Sequence, residues 1–185
     1  PIDKKDHYIK RCIAIAGDSL EVRNRQVYIN GVAAVNPKNL QFAYQIDAPN
    51  LNYAKVEEAG IAIPPDRRWP YFLSATHLEK LKGIDPNIQI RPFDPAGQTA
   101  GLFPHDPVHF NTWTVDNYGP IYIPKKGATV ALTPETIALY RRVIDVYENN
   151  DYKEENGQYI INGVPSTSYT FKQDYYWMQG DNRHN

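Results

Sequence analysis

Two short segments each bring together side chains that could bind or move a proton. The first is YIKR at 8–11, followed by Gly17 and Asp18; it offers the Lys10 amine and the Arg11 guanidinium. The second is MQGDNRHN at 178–185, which brings together Gly180, Asp181, Asn182, Arg183 and His184. A third group, His105, Asp106 and His109, has ligand-type side chains in the pattern H-D-x-x-H. Zinc needs three or four ligands in a fixed geometry, and no Cys cluster or further His lies nearby. Pro104 and Pro107 also break any helix that would align the trio. A loop with ordinary polar residues is the expectation there.

These segments need elements to position them. Residues 7–15 alternate as a strand, with Tyr8, Lys10, Cys12 and Ala14 on one face and Ile9, Arg11, Ile13 and Ile15 on the other. A guanidinium among isoleucines needs a partner. Strands are expected at 19–23 and 26–29, joined at Asn24 and Arg25, with Asn30–Gly31 supplying a tight hairpin turn. The pattern returns late: NRQVYINGV at 24–32 and NGQYIINGV at 156–164 agree at six of nine positions. Two copies are too few for a repeat array, so they read as two related hairpins.

Between them lies a Pro-, Asn- and Tyr-rich section with two helix signals. Ser74 is placed to cap a helix through Lys82, with Leu78 and Leu81 inward and Gly83 at its end. Thr133–Pro134–Glu135 starts a second, carried by Ile137, Tyr140, Ile144 and Tyr147 and closed at Asn149–Asn150. Strands are expected at 121–123, at 128–132, and as one Tyr-rich run over 168–178. The aromatics Phe110, Trp113, Tyr118 and Tyr122 suit the core of a β-rich module.

The two proton-handling segments, in this order and each after a strand, resemble bacterial signal peptidase I, a membrane-bound serine protease. In that family Y-x-K-R-x-x-x-x-P-G-D holds the catalytic lysine, and a later G-D-N-R-x-N-S-x-D-S-R lines the same site. Here the first reads YIKRCIAIAGD, with Ala16 where the family usually has Pro, and the second reads GDNRHN. The resemblance covers 8–32 and 157–185. It implies a mainly β fold: an antiparallel catalytic core, incomplete here, from 1–32 and 157–185, with a large inserted α+β domain at 33–156.

The resemblance implies Lys10 as general base, taking the proton of a serine hydroxyl in place of histidine. That needs a neutral amine, whereas a free lysine has a pKa of roughly 10.4. Burial would lower it, and no acid sits at the i±2 positions of its strand face. Asp181 would pair with Arg11 as a structural ion pair, while Gly180, Asn182 and Arg183 shape the site. His184 is not implied as a catalytic group. Neither a metal nor a cofactor is implied. The partners would be signal peptides of secreted precursors, cut after small residues of the A-x-A type and bound as an added strand. The location would be the bacterial cytoplasmic membrane, held by an anchor not in this chain, with the catalytic part on the extracytoplasmic, periplasmic face.

The nucleophile is the main departure. The family's S-M-x-P-T segment has no counterpart, and the serines present are Ser19, Ser74, Ser166 and Ser168. A chain carrying the base without its nucleophile should be inactive alone. The alternative is a non-catalytic β-rich binding or assembly module that keeps a protease-like core. A self-cleaving repressor domain, which shares the dyad chemistry, has no visible DNA-binding region to support it.

Composition agrees with a globular chain and narrows its partners. With 20 basic and 21 acidic residues the net charge is −1, which argues against nucleic acid. The 14 Tyr favour strands, and the 15 Pro favour loops and sheet edges. Cys12 is the single cysteine, so no internal disulfide forms. No apolar run approaches the roughly 18 residues that span a bilayer. The start at Pro1 is no signal peptide and reads as an excised piece of a longer protein.

Overall fold

The computed structural model describes residues 9–93 and 102–184. The strands are β1 (Arg11–Ala14), β2 (Ser19–Arg23), β3 (Gln26–Ile29), β4 (Val32–Ala33), β5 (Phe42–Asp47), β6 (Tyr71–Leu73), β7 (Gln89–Pro92), β8 (Tyr118–Tyr122), β9 (Thr129–Ala131), β10 (Tyr152–Glu155), β11 (Gln158–Ile161), β12 (Val164–Ser166), β13 (Ser168–Thr170) and β14 (Trp177–Gln179). The helices are α1 (Tyr53–Glu58), α2 (Ala75–Ile84) and α3 (Pro134–Arg142), the last followed by a π-helical turn over Val143–Tyr147. The fold is mainly β with antiparallel sheets.

Two compact units form: Pro1–Arg11, Val35–Ala96 and Gln179–Asn185 make one, and Cys12–Ala34 with Gly97–Met178 the other. Compactness thus cuts the chain at other points than the expected core (1–32 and 157–185) and insertion (33–156). The reason lies in the cores. Tyr152 and Ile161 from the late hairpin share one apolar cluster with Ile137, Tyr140 and Ile144. The C-terminal 179–184 instead pairs by hydrogen bonds with Gln41 and Ala43.

In the second unit the two related hairpins fold alike. Asn24 and Arg25, Asn30 and Gly31, Asn156 and Gly157, and Asn162 and Gly163 all have positive φ, between 49° and 80°. Paired positive φ at both central residues is the turn that matches the twist of a two-residue hairpin. The repeat extends to side chains. Asn30 Oδ1 accepts from Ser19 N–H at 2.8 Å, and Asn162 Oδ1 from Asp151 N–H at 2.9 Å. Their amide nitrogens donate to Asp18 Oδ1 and Asn150 Oδ1 at 2.8 and 2.9 Å.

The sheet β4-β3-β2-β8 buries Leu20, Val22, Val27, Tyr118 and Ile121. Gly119 has φ +96°, and a Cβ there would meet Leu20 O at 2.6 Å, so the close approach of β8 to β2 requires glycine. A second sheet, β10-β11-β12, and the pair β13-β9 lie with α3 around Phe171 and Ile144. Thr133 caps α3 by accepting from Thr136 N–H, with Pro134 in the first turn. Glu148, 7% exposed, follows the π-helical turn and accepts from the Lys172 amide and from the Tyr169 and Tyr175 hydroxyls.

The first unit centres on β5, flanked by β6 and β7 in an antiparallel sheet. Val56 of α1 and Leu81 of α2 are fully buried against Tyr71 and Leu73. Ser74 caps α2 as expected, accepting from His77 N–H at 3.3 Å.

Several sequence expectations need correction. The strand expected over 7–15 is only Arg11–Ala14, with 7–8 outside the described residues. Its supposed apolar face is largely open: Ile9 is 97% exposed and Ile15 55%. The run 168–178 is two strands, β13 and β14, separated by the turn at 171–176. Tyr147 is 54% exposed. The π-helical turn widens the spiral after Arg142 and slides position 147 off the buried stripe. The helix from Ser74 runs past Lys82 to Ile84, taking Gly83 inside it.

Candidate functional site

The site is built within the first unit, where the chain before β1 and the segment after β14 come together. Asp181 accepts both Arg11 donors: Nε to Oδ1 at 3.0 Å and a terminal nitrogen to Oδ2 at 2.9 Å. This is the fork-to-carboxylate geometry that Arg alone offers. The side chains are 52% and 31% exposed, so the pair lies at the surface rather than among isoleucines. The Arg11 hydrogen bonds hold the Asp181 carboxyl below its ordinary range, and Asp181 raises the guanidinium in turn.

Lys10 lies beside this pair. A Cβ built on Gly180 would stand 3.1 Å from Lys10 Nζ and 3.6 Å from its Cδ, so the amine rests against the bare Cα of the glycine. The Lys10 residue is exposed, unlike the burial its expected role calls for. Ile9, Lys10, Arg11 and Asp181 line an open concavity of about 280 Å³. That is near the lower end of small-molecule pockets and large enough for one or two side chains.

The C-terminal segment is held by β5 and the residue before it. Gln41 N–H donates to Asp181 O at 2.8 Å, and Arg183 N–H donates to Gln41 O at 3.0 Å, making a parallel bridge between Gln41 and Asn182. Arg183 donates to the Gln179 side chain across the same turn. Asn182 Oδ1 is buried and has no hydrogen-bond partner among the described residues. Sequence reasoning missed Gln41, because a bridging main chain leaves no side-chain signature. It also passed over His184, whose ring accepts from Ala43 N–H and packs on Phe42.

The other candidates stay apart from this cluster in their chemistry. His109 Nδ1 lies 2.7 Å from Asp106 Oδ2, while Asp106 Oδ1 accepts from the Val108 and His109 amides. This closes an Asx-type loop, and His105 makes no part of it. Among the described residues no group of three or more His, Cys, Asp or Glu is placed to hold a metal ion. The serines have local tasks: Ser74 caps α2, Ser166 Oγ donates to Val164 O, and Ser19 and Ser168 sit in strand pairs. Phe110, Trp113, Tyr118 and Trp177 form a chain of ring contacts in the second unit.

The portion of the chain that carries Lys10, Arg11 and the Gln41 bridge, residues 1–70, matches the family model for signal peptidase, peptidase S26. The match is a likeness of that segment to the signal peptidase family and leaves residues 71–185 unmatched. No curated protein and no solved structure matches the chain. Among the described residues no helix is long and apolar enough to cross a membrane.

Proposed function

We propose that this chain is the extracytoplasmic part of a bacterial signal peptidase I, a serine endopeptidase that removes N-terminal signal peptides from exported precursors. The observation that carries the reading is the placement of Lys10 Nζ against Gly180, next to the Arg11–Asp181 pair. The two segments that resemble the family's motifs lie far apart in sequence yet meet in one concavity.

Lys10 acts as the general base. In neutral form it takes the proton from a serine hydroxyl as that oxygen attacks the scissile carbonyl, and later returns it to the leaving amine. Asp181 has both oxygens committed to Arg11, so its charge is answered there. Water then attacks the acyl-enzyme and releases the mature protein. The reading calls for a nucleophilic serine in an S-M-x-P-T setting, which Ser19, Ser74, Ser166 and Ser168 do not have. Gly180 and Asp181 flank the base, and Asn182 and Arg183 hold the turn that carries them through Gln41 and Gln179. The precursor lies along the site as an added strand, with shallow pockets for small residues.

The test is Lys10→Ala in the full gene-encoded protein, with a secretory precursor reconstituted in detergent or vesicles. Processing is lost while the circular dichroism spectrum and melting temperature stay as in the parent. Retained turnover overturns the assignment of the base. The exposure of Lys10 favours a second reading, a non-catalytic binding module. That reading requires the intact parent to leave every precursor uncut.

A further inference from the structure

We propose that His184 is a positioning residue of this site, its imidazole serving as the hydrogen-bond acceptor that seats the Gly180–Asn182 turn on β5 beneath Lys10. The inference rests on the reading of Lys10 and Gly180 as the proteolytic site and adds a residue to it.

The argument starts from an accounting of main-chain donors. Ala43 is 2% exposed, so its N–H needs an acceptor inside the protein. Alternate residues of a strand face the same edge, so Gln41 and Ala43 share one. On that edge Phe93, the residue after β7, reaches Ala43 through the Ala43 carbonyl, which accepts from Phe93 N–H at 3.0 Å. Gln41 on the other side is bonded at both its groups to Asp181 and Arg183. The Ala43 N–H falls between the two partners, and His184 Nδ1 takes it at 3.1 Å. The ring stands edge-on to Phe42, with centroids 5.5 Å apart, which fixes its plane.

The imidazole therefore adds a rung where main chain is missing. Nδ1 accepts, so the proton of the neutral ring is on Nε2. Four residues upstream the same segment carries Gly180, against which Lys10 Nζ rests. Three residues upstream it carries Asp181, which grips Arg11. Loosening His184 frees the end of the segment that sets both contacts.

The experiment pairs two variants. Asn carries Oδ1 at the same branch point as His Nδ1, so His184→Asn keeps the acceptor, whereas His184→Ala removes it. NMR of the 185-residue chain is expected to show His184 protonated on Nε2. In His184→Ala the Ala43 amide exchanges about tenfold faster or more, and the Arg11 Nε–H signal broadens; His184→Asn restores both. In the full gene-encoded protein His184→Ala lowers kcat for precursor cleavage about tenfold with KM little changed, and His184→Asn recovers most of it. A proton on Nδ1, unchanged Ala43 exchange, or an unaltered kcat in the Ala variant overturns the proposal. Expected spectra beside a parent that cleaves nothing overturn the protease reading instead and leave the seating of the turn intact.

Discussion

Lys10 Nζ and Gly180 are in contact across 170 residues of sequence, with 3.1 Å between the nitrogen and the place a Cβ would occupy on the glycine. Gly180 is thus used for room rather than for conformational freedom, since its backbone lies outside the left-handed region. The space it leaves decides where the amine can sit.

Gly180→Ala tests that contact. The added methyl moves the amine by a few tenths of an ångström without straining the backbone. Fold stability should hold, because the neighbour that yields is the far end of an exposed, flexible side chain. Catalysis depends on reacting groups being held within fractions of an ångström, so precursor cleavage by the full protein should fall about tenfold. Unchanged cleavage alongside a shifted Lys10 Nζ resonance would separate the amine from the chemistry.

The Arg11–Asp181 pair makes a prediction about acid. The Asp181 carboxyl ionises below its ordinary value of 3.8, first because of its hydrogen bonds from Arg11, with Arg183 adding to the effect. A depressed carboxyl contributes stability above its unfolded pKa and loses it as pH falls through the folded one. The pair should therefore open only below about pH 4, and the site should keep its shape through neutral pH. A carbon-detected titration of Asp181 should give a midpoint below that of an unstructured Asp, and Arg11→Ala should bring it back up. A midpoint unaffected by Arg11→Ala would rule out the bridge as the cause.

Arg25 makes a prediction about the hairpins. It sits at φ +72°, the value its counterpart Gly157 also has, and a non-glycine residue there is strained by about 1–2 kcal/mol. The strain is offset by Asp116, whose carboxylate accepts from Arg25 Nε at 2.7 Å and whose carbonyl accepts from Arg25 N–H at 2.9 Å. Arg25→Ala keeps the strain and loses the side-chain bond, at about 2 kcal/mol. Arg25→Gly loses the same bond but relaxes the turn, so it should be more stable than the Ala variant by about 1 kcal/mol. Urea denaturation decides it; equal midpoints for the two variants would exclude strain at this position.

Local features were readable without coordinates. The capping residues Ser74 and Thr133 act within three residues of themselves, so their patterns predict both helix starts. The Asn-Gly turns likewise carry their geometry in two adjacent residues, and β2 and β3 fall at the expected bounds. Tyr147 failed because helical periodicity assumes a constant pitch, and the π-helical turn changes it. The 7–15 strand failed because alternation reports two faces but not whether either is covered; Ile9 faces solvent.

The sequence by itself determined the motifs, the related hairpins and the β-rich class, since each rests on contacts between residues near in the chain. Only the tertiary structure decided that Gly180 lies under Lys10, that Asp181 grips Arg11 at the surface, and that Gln41 and His184 seat the turn that does both. The Gly180 and His184 contacts join segments more than 140 residues apart, and the Gln41 bonds run through main-chain groups that every residue possesses, so neither kind leaves a mark in residue type or spacing; the Arg11–Asp181 pairing was implied by the motifs, and only its exposure was not.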